Sequence, residues 1–363
     1  MKPRRLTLWL AAASLSLVAG CADGAPEIQP DPEGANPPPV LETVQITRIL
    51  EAISTELAAT AEEGDPAAPE ADVAAPEADV AETEAEPVDQ STRLGGAALK
   101  IRTAEFAIAQ EYTDYKVNDL GPGFSERRIV AQAKDWPRSF VVATEPAEAQ
   151  ARFLCQITQQ DPRDDYKLVA FARMLRDAQV PATADPEVGS PVVGEAAEGL
   201  TMSPYEALQA YAQAKEDPQG DAASLFDTAI TDENEPDRDP VRQAWTATKA
   251  AISQELPNVE GTLVATSEPD EAYAIMALAT VDKGAVVFGQ IRSTMDITIT
   301  LPAGATFSIG EMYKGLGVST AVTKSVHLEY LQTVVLGIGP RGANSGPVQV
   351  LAVSHAPVAA AVE

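Results

Sequence analysis

Between residues 41 and 60, apolar side chains return at helical spacing. Ile46, Ile49, Leu50, Ile53 and Leu57 fall on one stripe, which predicts an amphipathic helix. A helix of this length is marginal alone in water, so the stripe must dock on something. From Gly95-Gly96 a second helical stretch runs through Ala97, Ile101, Arg102, Phe106 and Ile108. Short runs that alternate or are wholly apolar follow at 128–133, 139–144, 152–159 and 166–175, with Asp161-Pro162-Arg163-Asp164-Asp165 as turn chemistry. The pattern predicts a first module, 40–180, of helices followed by an antiparallel sheet.

Residues 181–199 are rich in Pro, Gly and Glu and read as a linker. The order then repeats over 200–356. Ser203-Pro204-Tyr205-Glu206 is a capping box, with Pro204 at the first helical position. Asp239-Pro240 starts another helix by the same logic, carrying Val241, Trp245 and Ile252. Strand-like runs occupy 272–280, 285–300, 320–336 and 347–354, Val281-Asp282-Lys283-Gly284 reads as a hairpin turn, and 357–363 reads as a tail. The expected fold class is α+β: two tandem helix-then-antiparallel-sheet modules, each sheet curled around its own helices.

The amino terminus changes the picture. Lys2, Arg4 and Arg5 precede an apolar stretch, Leu6 to Val18, too short to span ~30 Å of hydrocarbon. Residues 1–20 read as an export signal. Val18-Ala19-Gly20-Cys21 resembles the lipobox of bacterial lipoproteins, which implies lipid attachment (a diacylglyceryl thioether, with palmitate as its acyl chain) at Cys21. Acyl chains hold a protein to a membrane without crossing it, each buried methylene contributing roughly 0.8 kcal/mol. Prolines at 26, 30, 32, 37, 38 and 39 make 21–39 a tether of polyproline II character, able to reach roughly 55 Å.

Charge is distributed unevenly. Of 54 Asp and Glu against 26 Lys and Arg, residues 22–90 hold eighteen acids and a single basic residue, Arg48. The acidity therefore belongs mainly to the linkers, including a low-complexity insertion at 61–92 with APEADVA at 68–74 and again at 75–81. This reads as a solvated, disordered spacer. The formal charge of −28 excludes nucleic acid as a partner, since phosphate recognition needs a basic face.

Two Cys and two His exclude zinc fingers and multi-histidine sites. The common hydrolase, metalloprotease and nucleotide motifs do not occur. Gly337-Ile338-Gly339-Pro340-Arg341-Gly342 matches G-x-G-x-x-G, but a strand-like run follows it, so it reads as a hairpin loop. Asp232, Asn234, Asp237 and Asp239 fail the calcium-loop spacing. His327 and His355 read as bystanders on strands, and Cys155 as a buried small hydrophobe. No catalytic, metal-binding or cofactor-binding residue is assigned, and no cofactor is expected. Arg102, Trp136, Arg138 and Tyr166 are the candidates to line a pocket on a concave sheet face.

Several strings occur together: Asp135-Trp136-Pro137-Arg138, the 161–166 turn ending at Tyr166, 181–190, and Met202 through Leu208. Over residues 40–355 the chain thereby resembles an uncharacterised family of actinobacterial membrane-anchored lipoproteins defined by a domain of unknown function. The resemblance implies a high-GC Gram-positive source, with the lipid in the outer leaflet of the cell membrane. The helix-then-sheet order also looks like the nuclear-transport-factor-two-like or cystatin-like cone fold. The expected function is that of a lipid-anchored, extracytoplasmic cell-envelope protein, a non-catalytic module binding a small ligand or an envelope protein. A cell-envelope hydrolase with an unrecognised site, or a structural partner of a membrane complex, is the alternative.

Overall fold

A computed structural model of the protein describes residues 37–63, 93–121, 123–145, 151–228, 238–256, 260–342 and 346–363. The signal 1–20, Cys21, the tether up to residue 36, the acidic tract 64–92, and Asp232, Asn234 and Asp237 lie outside the described residues. Residues 37–363 form one compact unit.

Helices α1 (Thr43–Glu63) and α2 (Gly96–Glu111) precede strands β1 (Gly123–Gln132), β2 (Arg138–Glu145), β3 (Phe153–Gln159) and β4 (Lys167–Met174). A two-residue strand, β5 (Ser190–Pro191), leads to α3 (Pro204–Glu216), a 3-10 turn at Asp221–Leu225, and α4 (Pro240–Glu255). Strands β6 (Thr262–Pro269), β7 (Met276–Ala279) and β8 (Ala285–Thr298) follow. A short hairpin, β9 (Phe307–Ser308) and β10 (Ala321–Val322), flanks a 3-10 helix at Glu311–Leu316. Strands β11 (Ser325–Ile338) and β12 (Gln349–Val362) close the chain.

The elements mostly fall where the apolar pattern put them, but the expected architecture does not. There are no two tandem cones. One ten-stranded mixed sheet runs in the order β5-β1-β2-β3-β4-β12-β11-β8-β6, with β7 also paired to β8. The β1–β4 meander and the β8-β11-β12 ribbon fuse where Ala352 and Val353 of β12 pair with Met174 and Arg173 of β4. The Leu175 N–H donating to the Leu351 carbonyl at 3.0 Å, and the Ser354 hydroxyl donating to the Phe171 carbonyl at 2.7 Å, extend the joint. The physical reason is edge satisfaction: two separate sheets would each expose a row of unpaired backbone groups at this place.

Residues 181–199 belong to the same structure. Ser190 pairs in parallel with Ala131 of β1, while Thr183 and Val192 bridge Thr280 and Leu278 beside β7. The segment is a strap tying both halves together. Residues 357–362 likewise continue β12 against β11, Val362 lying opposite Val326.

Strands β8 and β11 pair over fourteen residues, from Ala285 opposite Ile338 to Thr298 opposite Ser325. Side chains alternate between faces along each strand. On one face Val286, Phe288, Leu331 and Val335 join α1, α2 and β1–β4 in a single core. On the other, Ala285, Val287, Val334 and Leu336 pack under α3, and Met295, Ile297, Val326 and Tyr330 pack with Trp245 of α4. Burial on both faces explains the near-continuous apolar runs of these strands. Gly289 lets α3 approach closely: a Cβ there would lie 2.2 Å from Leu208 Cδ1.

Candidate functional site

Where the meander curls toward β7 and β8, a cavity of about 480 Å³ opens between them. Its polar wall is uncharged: Ser139 of β2, Gln156 and Thr158 of β3, and Gln290 of β8. These side chains are buried. Ser139 and Thr158 hydroxyls lie 2.8 Å apart, and Gln156 Nε2 donates to Thr158 Oγ1 at 3.3 Å. The rest of the lining is largely apolar, from Val169 of β4 beside them and from Ile275, Met276 and Leu278, with Tyr273. The charged side chains of Asp164, Asp165 and Lys167, none of them buried, also line it. Asp165 is tied to Arg93 at 2.9 Å. Helix α2 begins over β4 at Gly96, whose φ of +51° and 3.0 Å Cβ-to-Val169-oxygen approach admit no larger residue without strain.

The four pocket candidates separate. Arg138 alternates with Ser139 on β2 and so points away from the cavity that Ser139 lines. Its guanidinium sits 4.1 Å over the Trp136 ring, and Trp136 Nε1 donates to Gln159 Oε1 at 3.2 Å. Tyr166 is buried against Phe140, with ring centroids 6.1 Å apart, and burial raises its pKa. Arg102 is elsewhere, buried in α2. It donates to the Asn118 carbonyl at 2.6 Å and lies 3.4 Å from Glu105. Burial lowers the Arg102 pKa and raises that of Glu105, each opposed by the attraction of the other.

Beneath α3 and α4 lies a second polar group that motif reading does not reach. Lys215, in the last turn of α3, is fully buried, and its Nζ lies 4.2 Å over the Trp245 ring. That Nζ donates to Ser293 Oγ at 2.7 Å. Ser293 stands directly across from Ser267 of β6, and the two hydroxyls are 2.8 Å apart. Ser267 Oγ also lies 2.6 Å from Glu216 Oε1. Glu216 is held by Trp245 Nε1 at 3.0 Å and by Lys249 at 3.0 Å. Burial drags the Lys215 pKa down to about 7 against the pull of Glu216 and Asp239. Three of the residues come from three elements, so no linear spacing marks them. The one signal is Lys215 itself, which continues the buried stripe of Leu208, Tyr211 and Ala212 along α3.

Other residues sit as their patterns suggest. Cys155 is buried, which pushes its thiol pKa up. His327 pairs across strands with Asp296 at 2.7 Å. His355 is half-buried in β12. The Ser203–Glu206 capping box forms, and Asp239 caps α4 through the Val241 and Arg242 N–H groups. Residues 337–342 run from the last two residues of β11 into the loop that leads to β12, not to a helix. Among the described residues, no group of acidic, His or Cys side chains could hold a metal ion, and no helix is long and apolar enough to cross a membrane.

The sequence matches, over residues 128–361, the family described as a domain of unknown function (DUF8094). That span runs from within β1 to the end region of β12 and takes in all the other strands of the fused sheet. No curated protein and no solved structure matches the chain.

Proposed function

We propose that this chain, which belongs to the DUF8094 family, is a lipid-anchored envelope protein that takes a small uncharged polar ligand in its central cavity. The cavity carries the reading. It combines buried hydroxyls and amides with aliphatic side chains, the composition of a small-molecule site. Buried amides and hydroxyls favour a ligand that returns hydrogen bonds and penalise one that cannot.

The address rests on the sequence: the basic and apolar leader, the lipobox resemblance ending at Cys21, and the acidic tether behind it. It gives a protein held at the outer leaflet of an actinobacterial cell membrane. Replacing Cys21 with Ser tests the address. Release from membranes, or an unprocessed precursor, is expected. Normal processing with unchanged membrane retention overturns it.

The binding role is tested by melting the protein with neutral saccharides and short peptide amides. Stabilisation by at least one class, lost in Gln156→Leu and Gln290→Leu, supports it. No stabilisation by either class rejects it.

A further inference from the structure

The buried lysine poses a physical question that the ligand cavity does not answer. An ammonium fully out of water with one hydroxyl and one aromatic face for partners is costly, and the neutral amine is not. Lys215 makes no ion pair among the described residues, while Glu216, Asp239, Lys249 and the half-buried His355 lie near it. From its Nζ a chain of hydroxyls leads outward, through Ser293 to Ser267. Ser293 is buried, whereas Ser267 is only half-buried and lines a surface hollow of about 540 Å³ with Tyr205, Gln213, Asp270 and Arg292. The chain therefore joins a dry amine to a hydroxyl within reach of solutes.

We infer that Ser267 is a nucleophile for acyl transfer, with Lys215 as its general base acting through Ser293. The arrangement supplies what serine needs, an adjacent base held in a fixed geometry. Cross-strand pairing aligns the two hydroxyls, and α3 delivers the amine from above. Trp245 and Lys249 bind the Glu216 carboxylate and occupy both of its oxygens. Glu216 then holds the resting Ser267 hydroxyl and is a positioning residue.

In the step, Ser267 Oγ bonds to the acyl carbon while its proton passes to Ser293 Oγ and that of Ser293 passes to Nζ. The ester C–O bond breaks, and the departing alkoxide takes a proton from Ser293 Oγ, which Nζ replaces. Water then attacks the acyl carbon, its proton passing through Ser293 Oγ to Nζ; the acyl C–Oγ bond breaks, Ser267 Oγ takes that proton back from Nζ through Ser293, and the acid leaves. The net reaction is ester plus water to acid plus alcohol. Glu268, Asp270 and Glu271 line the hollow, so its substrates are neutral or cationic esters.

The full chain is treated with an uncharged alkyl fluorophosphonate and, separately, with p-nitrophenyl acetate. A phosphonyl adduct on Ser267 is expected, forming faster as pH rises through about 7. Lys215→Met, whose apolar side chain suits the site, should melt no lower than wild type yet label at least about 100-fold more slowly, as should Ser293→Ala. Acetate ester turnover should fall in parallel. The absence of an adduct on Ser267 in the folded wild type overturns the inference. Labelling of Ser267 at the wild-type rate in folded Lys215→Met, or with no change between pH 6 and pH 8, overturns it equally. None of these outcomes bears on saccharide or amide binding in the central cavity.

Discussion

The imidazole of His355 lies flat on the phenol ring of Tyr330, with centroids 4.8 Å apart and planes 4° from parallel. Trp245 closes the stack edge-on to both rings. His355 Nε2 has no hydrogen-bond partner, and burial, with Lys215 nearby, holds the imidazole pKa well below its usual value. The folded protein therefore keeps this histidine neutral at a pH where the unfolded chain protonates it.

The sign of the resulting pH dependence is fixed. Below about pH 6.5 the unfolded state binds a proton that the folded state refuses, so stability falls as pH falls. Between pH 7 and pH 5 the wild type should lose more stability than His355→Phe, by roughly 1–2 kcal/mol. Chemical denaturation at the two pH values measures the difference in slope. Equal slopes would show that His355 is protonated in the fold.

Lys215 acts in a higher window. Its folded pKa is about 7, against about 10.4 in an unfolded chain. Between those values only the unfolded state keeps the proton, so this group's contribution to stability rises with pH. The gain from Lys215→Met is then largest at pH 7 and below, and shrinks by roughly 2–3 kcal/mol by pH 9. A gain that is the same at pH 6 and pH 9 would contradict a neutral amine in the fold.

Gly315 touches the backbone of α2. A Cβ there would fall 2.4 Å from Ile108 Cα and 2.5 Å from the Ala107 oxygen, neither of which can rotate away. Gly315→Ala should cost roughly 1–3 kcal/mol by overpacking. Gly194, with nothing within 4 Å of its Cβ position, should accept Ala with little change. Thermal melts of the two variants make the comparison.

These residues also show how far the sequence could be read. The stripe Ile46, Leu50, Ile53 and Leu57 is buried as its spacing requires, and both proline-led helices start at their caps. Periodicity reports which face of an element is dry, and those local facts were legible. It does not report which edge meets which. The pairing of Met174 with Ala352 spans nearly half the chain, and no local signal separates it from two sheets with free edges. β6 carries no clear apolar signal because its alternating Thr262–Pro269 run is half-exposed, with Val264 facing out. The candidate cavity was legible only as a neighbourhood. Trp136 and Arg138 flank the residues that line it, but strand alternation sends Ser139 inward and Arg138 outward. The hydroxyl relay needs three elements in register, which composition and spacing cannot encode.

The pair Arg102 and Glu105 ties α2 to the segment after it, because Arg102 reaches the Asn118 carbonyl and Asn118 Nδ2 donates to Glu105. Removing one partner strands the other charge in a dry site. Arg102→Met should therefore cost roughly 3–5 kcal/mol at pH 7. The double variant Arg102→Met/Glu105→Gln should recover much of that loss, since no charge remains to be buried. Burial already raises the Glu105 pKa, and losing Arg102 raises it further. A carboxyl whose folded pKa is raised binds its proton more readily when folded, so it favours the fold as pH falls. The cost of Arg102→Met should thus shrink from pH 8 to pH 5, as measured by denaturation midpoints. A pH-independent cost, unrelieved by Glu105→Gln, would mean that the arginine stabilises α2 through its hydrogen bond to Asn118 and its contact with Phe106, and not by compensating charge.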